Sequence, residues 1–140
     1  MATEELARDR EGITGGRIMK IISFSWTTPA LLAGAKTVTR REWSDDYAKS
    51  FHKGDFVAAY DRGPRSGGKQ IATIRLTQDP YQEHVASAPY QDYEAEGLAW
   101  IESKGLMIQG VSPYDFWLEW RDENPLVWVI KFEVVKYGQD

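Results

Sequence analysis

The chain has 140 residues, 42% of them apolar and 27% charged, with a formal net charge of −4. That size and balance describe one compact domain with its own core and exclude pure disorder or a two-domain arrangement. The absence of cysteine removes thiolate catalysis, iron–sulfur clusters and cysteine zinc sites, and it fits a reducing compartment.

Residues 1–17 hold too few large apolar side chains to order themselves and are read as a disordered or extended tail, leaving 18–137 as the domain. Residues 18–24, IMKIISF, predict a first strand with Ile18, Ile22 and Phe24 on one face. Thr28 followed by Pro29, with Gly34 just beyond, predicts a helix of one to two turns. Ser44-Asp45-Asp46 opens another short helix that Gly54 stops, its acidic pair complementing the helix dipole. Residues 56–60 and 70–77 read as a strand pair, with Ala72, Ile74 and Leu76 inward and Thr73 and Arg75 outward. Their connection, DRGPRSGGK, reads as a mobile basic loop carrying Arg62, Arg65 and Lys69. Residues 90–104 predict a helix ended by Gly105, and Ser112-Pro113-Tyr114-Asp115 predicts a capped helix through Phe116, Trp117 and Trp120. Trp128, Ile130, Phe132 and Val134 alternate along a last strand. Dispersed strands joined by short helices point to an α+β fold, a small mixed barrel and not a doubly wound sheet.

No phosphate loop, dinucleotide glycine fingerprint, HExxH or GxSxG motif occurs. His52 and His84 are the only histidines and read as surface residues, so neither a metal nor another cofactor is expected. No apolar run approaches the roughly 18 to 20 residues of a membrane-spanning helix, and the first residues lack a signal-peptide core, so a cytoplasmic protein with no membrane partner is expected. The net charge conceals a pattern. Residues 34–75 hold nine basic and five acidic side chains, whereas 76–140 hold four basic and twelve acidic. The basic third includes Gly34-Ala35-Lys36-Thr37-Val38-Thr39-Arg40-Arg41-Glu42-Trp43. Lysine as a point charge, arginine as a bidentate fork and tryptophan as a stacking plate suit a polar planar ligand or a phosphate. Trp26, in SFSWTT, and Trp43, in RREWSDD, flank this segment in polar surroundings where they can stack on a base. Trp117, Trp120 and Trp128 read as core.

The spacing Gly-x-Lys-x-x-x-x-Arg at Gly34, Lys36 and Arg41 resembles the signature of the ASCH domain, a relative of the PUA barrels. Glu96-Gly97-Leu98 is similar to the acidic-glycine-apolar step of many ASCH sequences. The resemblance implies a PUA-like mixed β-barrel with short flanking helices and a groove that recognises RNA or nucleotides. Some small bacterial members are amidohydrolases of N4-acetylcytidine that use a Lys, a Thr three residues later and a downstream Glu, which by motif are Lys36, Thr39 and Glu96. On this resemblance Thr39 would be the nucleophile, Lys36 its base or electrostatic helper and Glu96 the proton donor. The chain departs from those members in Arg40, where they tend to be apolar, in the longer loop at 61–69, and in the aromatic helix around Phe116, Trp117 and Trp120.

The leading expectation is recognition of RNA or a modified nucleoside by Lys36, Thr37, Arg40, Arg41, Trp26, Trp43, Arg62 and Arg65. The alternatives are a metal-independent hydrolase, acting on N4-acylated cytidine or single-stranded RNA through Lys36, Thr39 and Glu96, and a protein-interaction module. Whether the chain is an enzyme stays open, as does its oligomeric state. On a helix, Glu96 would share a stripe with Tyr93 and Trp100, partly desolvating its carboxylate while Lys36 pulls its pKa down. In a regular strand Lys36 and Thr39 face opposite sides, so their cooperation requires a turn, bulge or helical step after Gly34.

Overall fold

A computed structural model describes residues 10–14 and 17–139, with side chains described from residue 19 onward. Seven strands form one curled sheet, a half-barrel, with short helices packed at one end in an α+β arrangement. The strands are β1 (Arg10–Thr14), β2 (Arg17–Ser23), β3 (Val38–Arg41), β4 (Phe56–Tyr60), β5 (Gln70–Leu76), β6 (Tyr81–His84) and β7 (Leu126–Tyr137). Of the segment read as a tail, residues 1–9 lie outside the described residues, and Arg10–Thr14 pairs antiparallel with β2. β2 runs parallel to β4, and β4 and β5 form the expected antiparallel pair.

The long β7 organises the rest. Its second half pairs with β5 and its first half with both β3 and β6. The Thr77 N–H donates to Lys131 O at 3.0 Å, so the chain leaves β5, breaks around Pro80 and returns to the same side of β7 as β6. With neighbours on both sides, the first half of β7 buries Val127, Trp128, Val129 and Ile130 consecutively. That removes the simple alternation read from the sequence. Register shifts in β4–β5 and β5–β7 supply the bends a curling sheet needs. The curl encloses Ile22, Phe24, Leu31, Val57, Ile74, Leu76, Ile130 and Phe132, each stabilising the fold by roughly 1.5–3 kcal/mol through burial.

The helices are α1 (Thr28–Leu32), α2 (Asp45–Lys49), α3 (Asp92–Ala95), α4 (Leu98–Ser103) and α5 (Pro113–Glu123). Ser44 and Ser112 cap α2 and α5, accepting from Tyr47 N and Asp115 N at 3.3 and 3.1 Å. Pro29 and Pro113 sit in the first turns of α1 and α5, where no donor is lost. Ala30, Leu98, Ile101, Ile108, Phe116 and Trp117 make a second apolar cluster at this helical end.

Other readings change as well. The single helix over 90–104 is two helices, broken at Glu96-Gly97, where Gly97 takes φ +90°. A β-carbon there would lie 2.7 Å from that of Ala30 and 3.4 Å from that of Lys36, so close backbone approach as well as conformation calls for glycine. β6 has no counterpart in the sequence reading. The 61–69 loop is tied down: Asp61 N–H donates to Lys69 O at 3.2 Å, Lys69 N–H to Asp61 Oδ1 at 2.9 Å, and Gly68 N–H to Gly63 O at 3.1 Å.

Candidate ligand pocket

β3 ends the strand order and, among the described residues, pairs only with β7. All four of its residues are buried. Lys36 precedes the strand, and the break after Ala95 leaves the last carbonyls of α3 without helical partners, as at any helix end. Residues 36 and 37 take them up: Thr37 N–H donates to Ala95 O at 2.8 Å, and Lys36 Nζ donates to Glu96 O at 2.9 Å. The Lys36 ammonium therefore meets the negative end of α3.

Lys36 Nζ also pairs with Glu96 Oε1 at 2.9 Å, and Arg40 Nη1 with Glu96 Oε2 at 2.8 Å. Arg40 Nη2 reaches Glu83 at 3.0 Å and makes a further ion pair with Asp92. Lys36, Arg40 and Glu96 are buried, at 2%, 2% and 5% exposure, so this is an interior network in which every charge is answered. Burial acts to raise the Glu96 carboxyl, but the charges and hydrogen bonds of Lys36 and Arg40 outweigh it and hold the group below the ordinary carboxylate range. Burial likewise opposes the Arg40 charge, and Glu96, Asp92 and Glu83 raise its pKa despite it. Glu96 is thus an anion at neutral pH and accepts hydrogen bonds; the proton-donor role expected for it does not fit the resting site.

Lys36, Thr39, Arg40 and Glu96 line one small pocket, roofed by Trp26, Leu98, Phe116 and Trp120. Thr39 and Arg40 are consecutive strand residues whose side chains leave opposite faces, and the last strand of a sheet lets both reach a space beside its edge. The same geometry brings Lys36 and Thr39 to one pocket, because Lys36 lies before the strand and escapes its alternation. Thr39 Oγ1 accepts from Arg41 Nε at 3.1 Å. The enclosed space is about 20 Å³, room for one water molecule. Two of the residues lining it hold donors, Arg40 Nε and Trp120 Nε1, that are buried without a hydrogen-bond partner among the described residues.

Other expected residues lie elsewhere. Arg41 is fully buried, donating to Ser23 O at 2.9 Å and packing 5.5 Å from the Phe24 ring centre, so it braces β3 against β2 and presents nothing to a phosphate. Trp43 belongs to the core, stacked on Phe51 at 4.6 Å and edge-on to Tyr47, because a large aromatic after a buried strand gains more from packing than from exposure. Trp26 does border the pocket, edge-to-face with Phe116 at 5.0 Å. Trp117 and Trp128 are buried as expected, whereas Trp120 contributes to the pocket roof. Thr37 is exposed and lines a separate open trench of about 490 Å³ with Gly34, Gln91, Glu94 and Trp100. The helix break also parts Glu96 from its expected aromatic stripe: Trp100 borders that trench and Tyr93 packs on Tyr114 and Trp117. Arg62 and Arg65 are exposed and line neither cavity.

Asp92 and Glu83 were not anticipated. Asp92 lies four residues before Glu96, a spacing that places both on one helical face, and this signal was readable. Glu83 had none, sitting on a strand without an apolar alternation. Among the described residues no cluster of His, Cys, Asp and Glu is arranged to hold a metal ion, and no helix is long and apolar enough to cross a membrane.

No family model matches the chain, and no curated protein matches it. A solved structure, protein EF3133 from Enterococcus faecalis V583, of family DUF984, is similar over 76% of this chain at 20% identity and a TM-score of 0.48. The chain spans 64% of that protein's length.

Proposed function

We propose that the chain is a PUA-like domain of ASCH type whose pocket recognises a nucleoside-like ligand. The observation that carries this reading is that two residues lining the pocket, Arg40 and Trp120, each hold a buried donor, Nε and Nε1, with no partner among the described residues, on a pocket whose other polar residues are Thr27, Lys36, Thr39 and Glu96. Leaving a buried donor unpaired costs about 1–3 kcal/mol, and a heterocycle with carbonyl and ring-nitrogen acceptors relieves it. Glu96, held ionised, supplies the acceptor for an exocyclic amine, and Trp26, Phe116 and Trp120 supply flat apolar surface. The space is closed at about 20 Å³, so a base enters by displacing the half-buried Trp26 or Trp120. Calorimetric titration with nucleosides, cytidine and N4-acetylcytidine among them, tests the reading. Saturable binding that weakens in Trp120→Phe, which removes the indole N–H together with part of the ring, is expected; absence of binding to every nucleoside overturns it.

A second reading is favoured by the shared position of Lys36 and Thr39 on one pocket. In it the pocket hydrolyses the amide of N4-acylated cytidine: Thr39 Oγ attacks the acyl carbon, the C–N bond breaks, and water then releases the carboxylate. Glu96 being anionic, the proton for the leaving amine comes from the Lys36 ammonium, which takes up the Thr39 hydroxyl proton in exchange, and Glu96 keeps that ammonium in place; hydrolysis of the acyl ester then restores the Thr39 hydroxyl. Acetate release from N4-acetylcytidine that disappears in both Lys36→Ala and Thr39→Ala is the expected result, and binding of that nucleoside without product rules the reading out.

A further inference from the structure

We infer that Trp26 is the gate of the pocket and Ser25 its spring: the Ser25 backbone is strained while the pocket is shut, and swinging Trp26 outward relieves that strain. The inference rests on the pocket reading above and adds how the site admits what it binds.

Closure leads to it first. The enclosed space is about 20 Å³, too small for an organic ligand, so a lining side chain has to move before anything binds. Lys36, Arg40 and Glu96 hold one another by ion pairs, and Leu98 and Phe116 are buried. The half-buried Trp26 and Trp120 are the candidates. Trp120 stands on the 11-residue α5 beside Phe116 and Trp117 of the same helix, at 5.7 and 6.3 Å. Its neighbour Arg121 ties that helix down, donating to Ala86 O at 2.8 Å and to Ala88 O at 3.0 Å. Trp26 has one ring contact among the described residues, edge-to-face on Phe116 at 5.0 Å. It therefore has less to leave.

The backbone supplies the hinge. Ser25 takes φ +45°, the left-handed region, whereas Phe24 and Thr27 are right-handed at −104° and −87°. Both of those neighbours are buried and fixed. Phe24 N–H donates to Tyr60 O at 2.8 Å, and Phe24 O accepts from Thr27 N–H at 2.9 Å and from Thr27 Oγ1 at 2.7 Å. Ser25 and Trp26 thus span two fixed points. A residue with a β-carbon stays left-handed only where its surroundings hold it there, and the seat of Trp26 against Phe116 is such a hold. When Ser25 returns to the right-handed region, Trp26 turns with it while both anchors stay, and the strain released offsets part of the cost of parting the two rings.

The test needs no ligand. Trp120 Nε1 is buried and has no partner among the described residues, so exchange of its hydrogen with solvent reports water admitted at the roof. Its NMR signal is assigned with Trp120→Phe, and exchange is followed in the wild type, Ser25→Gly, Ser25→Ala and Trp26→Ala, with and without low urea. Glycine adopts left-handed backbone without strain, so Ser25→Gly is expected to hold the gate shut and slow exchange by about tenfold. Ser25→Ala keeps the strain and loses the hydroxyl, so it should exchange no more slowly than the wild type, and Trp26→Ala should exchange faster. Wild-type exchange indifferent to low urea marks a local opening. Exchange in Ser25→Gly as fast as in the wild type, or wild-type exchange that rises with urea in step with global unfolding, overturns the gate. Nucleoside titration of the wild type in parallel keeps the two readings apart: the expected exchange pattern without nucleoside binding overturns the pocket reading alone, and nucleoside binding with exchange indifferent to Ser25→Gly overturns the gate alone.

Discussion

Lys36 donates to Glu96 twice, once to the side-chain oxygen Oε1 and once to the main-chain carbonyl, both at 2.9 Å. One ammonium thereby fixes a carboxylate and the end of the helix that carries it. Glu96→Gln is predicted to destabilise the fold by about 3–5 kcal/mol, because it leaves Lys36 and Arg40 buried with one charge partner fewer. In thermal denaturation this is a melting temperature lower by on the order of 10 °C. A shift under about 2 °C would show that the network is structurally idle.

The same pair sets the response to acid. Glu96 titrates below the ordinary carboxylate range in the fold, so the unfolded chain takes up this proton first as pH falls. Its contribution is fully present above about pH 4.5 and is lost as pH drops through the lower folded-state value. Denaturant unfolding followed across that window is expected to show stability declining with acid in the wild type and a shallower decline in Glu96→Gln. Parallel declines in the two proteins would contradict the assignment.

Gly97 gives a prediction about shape. Gly97→Ala combines a left-handed backbone with a β-carbon 2.7 Å from that of Ala30, and a loss of about 2–4 kcal/mol is expected. Adding Ala30→Gly removes the steric part, so the double variant should be more stable than the two single losses summed. Strict additivity in that cycle would mean that the two residues do not press on each other.

Trp26 and Trp43 separate binding from folding. Trp26→Ala is predicted to weaken nucleoside affinity by roughly 1–3 kcal/mol, the usual worth of base–aromatic stacking, with little loss of stability. Trp43→Ala, which empties the space over Phe51, is predicted to cost about 3–5 kcal/mol of stability. Matched isothermal titrations and chemical melts on both variants decide the point, and a reversal of the two phenotypes would contradict the placement.

Much of this fold was legible because local signals and tertiary demands agree. Ser44 and Ser112 cap helices as their sequences announce, and Phe56–Tyr60 and Gln70–Leu76 pair as their alternation predicts. Lys36, Thr39, Arg40 and Glu96 were readable as a set, and the structure brings them to one pocket. What was not legible depends on partners far away in the chain. β6, the sequence Tyr81–His84, has no apolar period of its own and exists because β7 offers it an edge. Arg41 and Trp43 look like surface chemistry in a list of residues, yet the curl of the sheet turns both inward. The segment 90–104 has good helix formers on both sides of Gly97, and a single glycine weakens a helix by only about 1 kcal/mol; the approach of Ala30 and Lys36 to Gly97 shows why it must break there.

The length of β7 has a kinetic consequence. Among the described residues, the strand that carries Thr39 and Arg40 has no sheet partner except β7, through pairs such as Val38 with Lys131. That pairing is highly non-local, and such contacts close slowly because the intervening chain must be ordered first. During synthesis, β3 therefore has no sheet to join until Leu126–Tyr137 has emerged, and the pocket forms among the last parts of the molecule. A nascent chain displays its basic hairpin loop before that pocket exists.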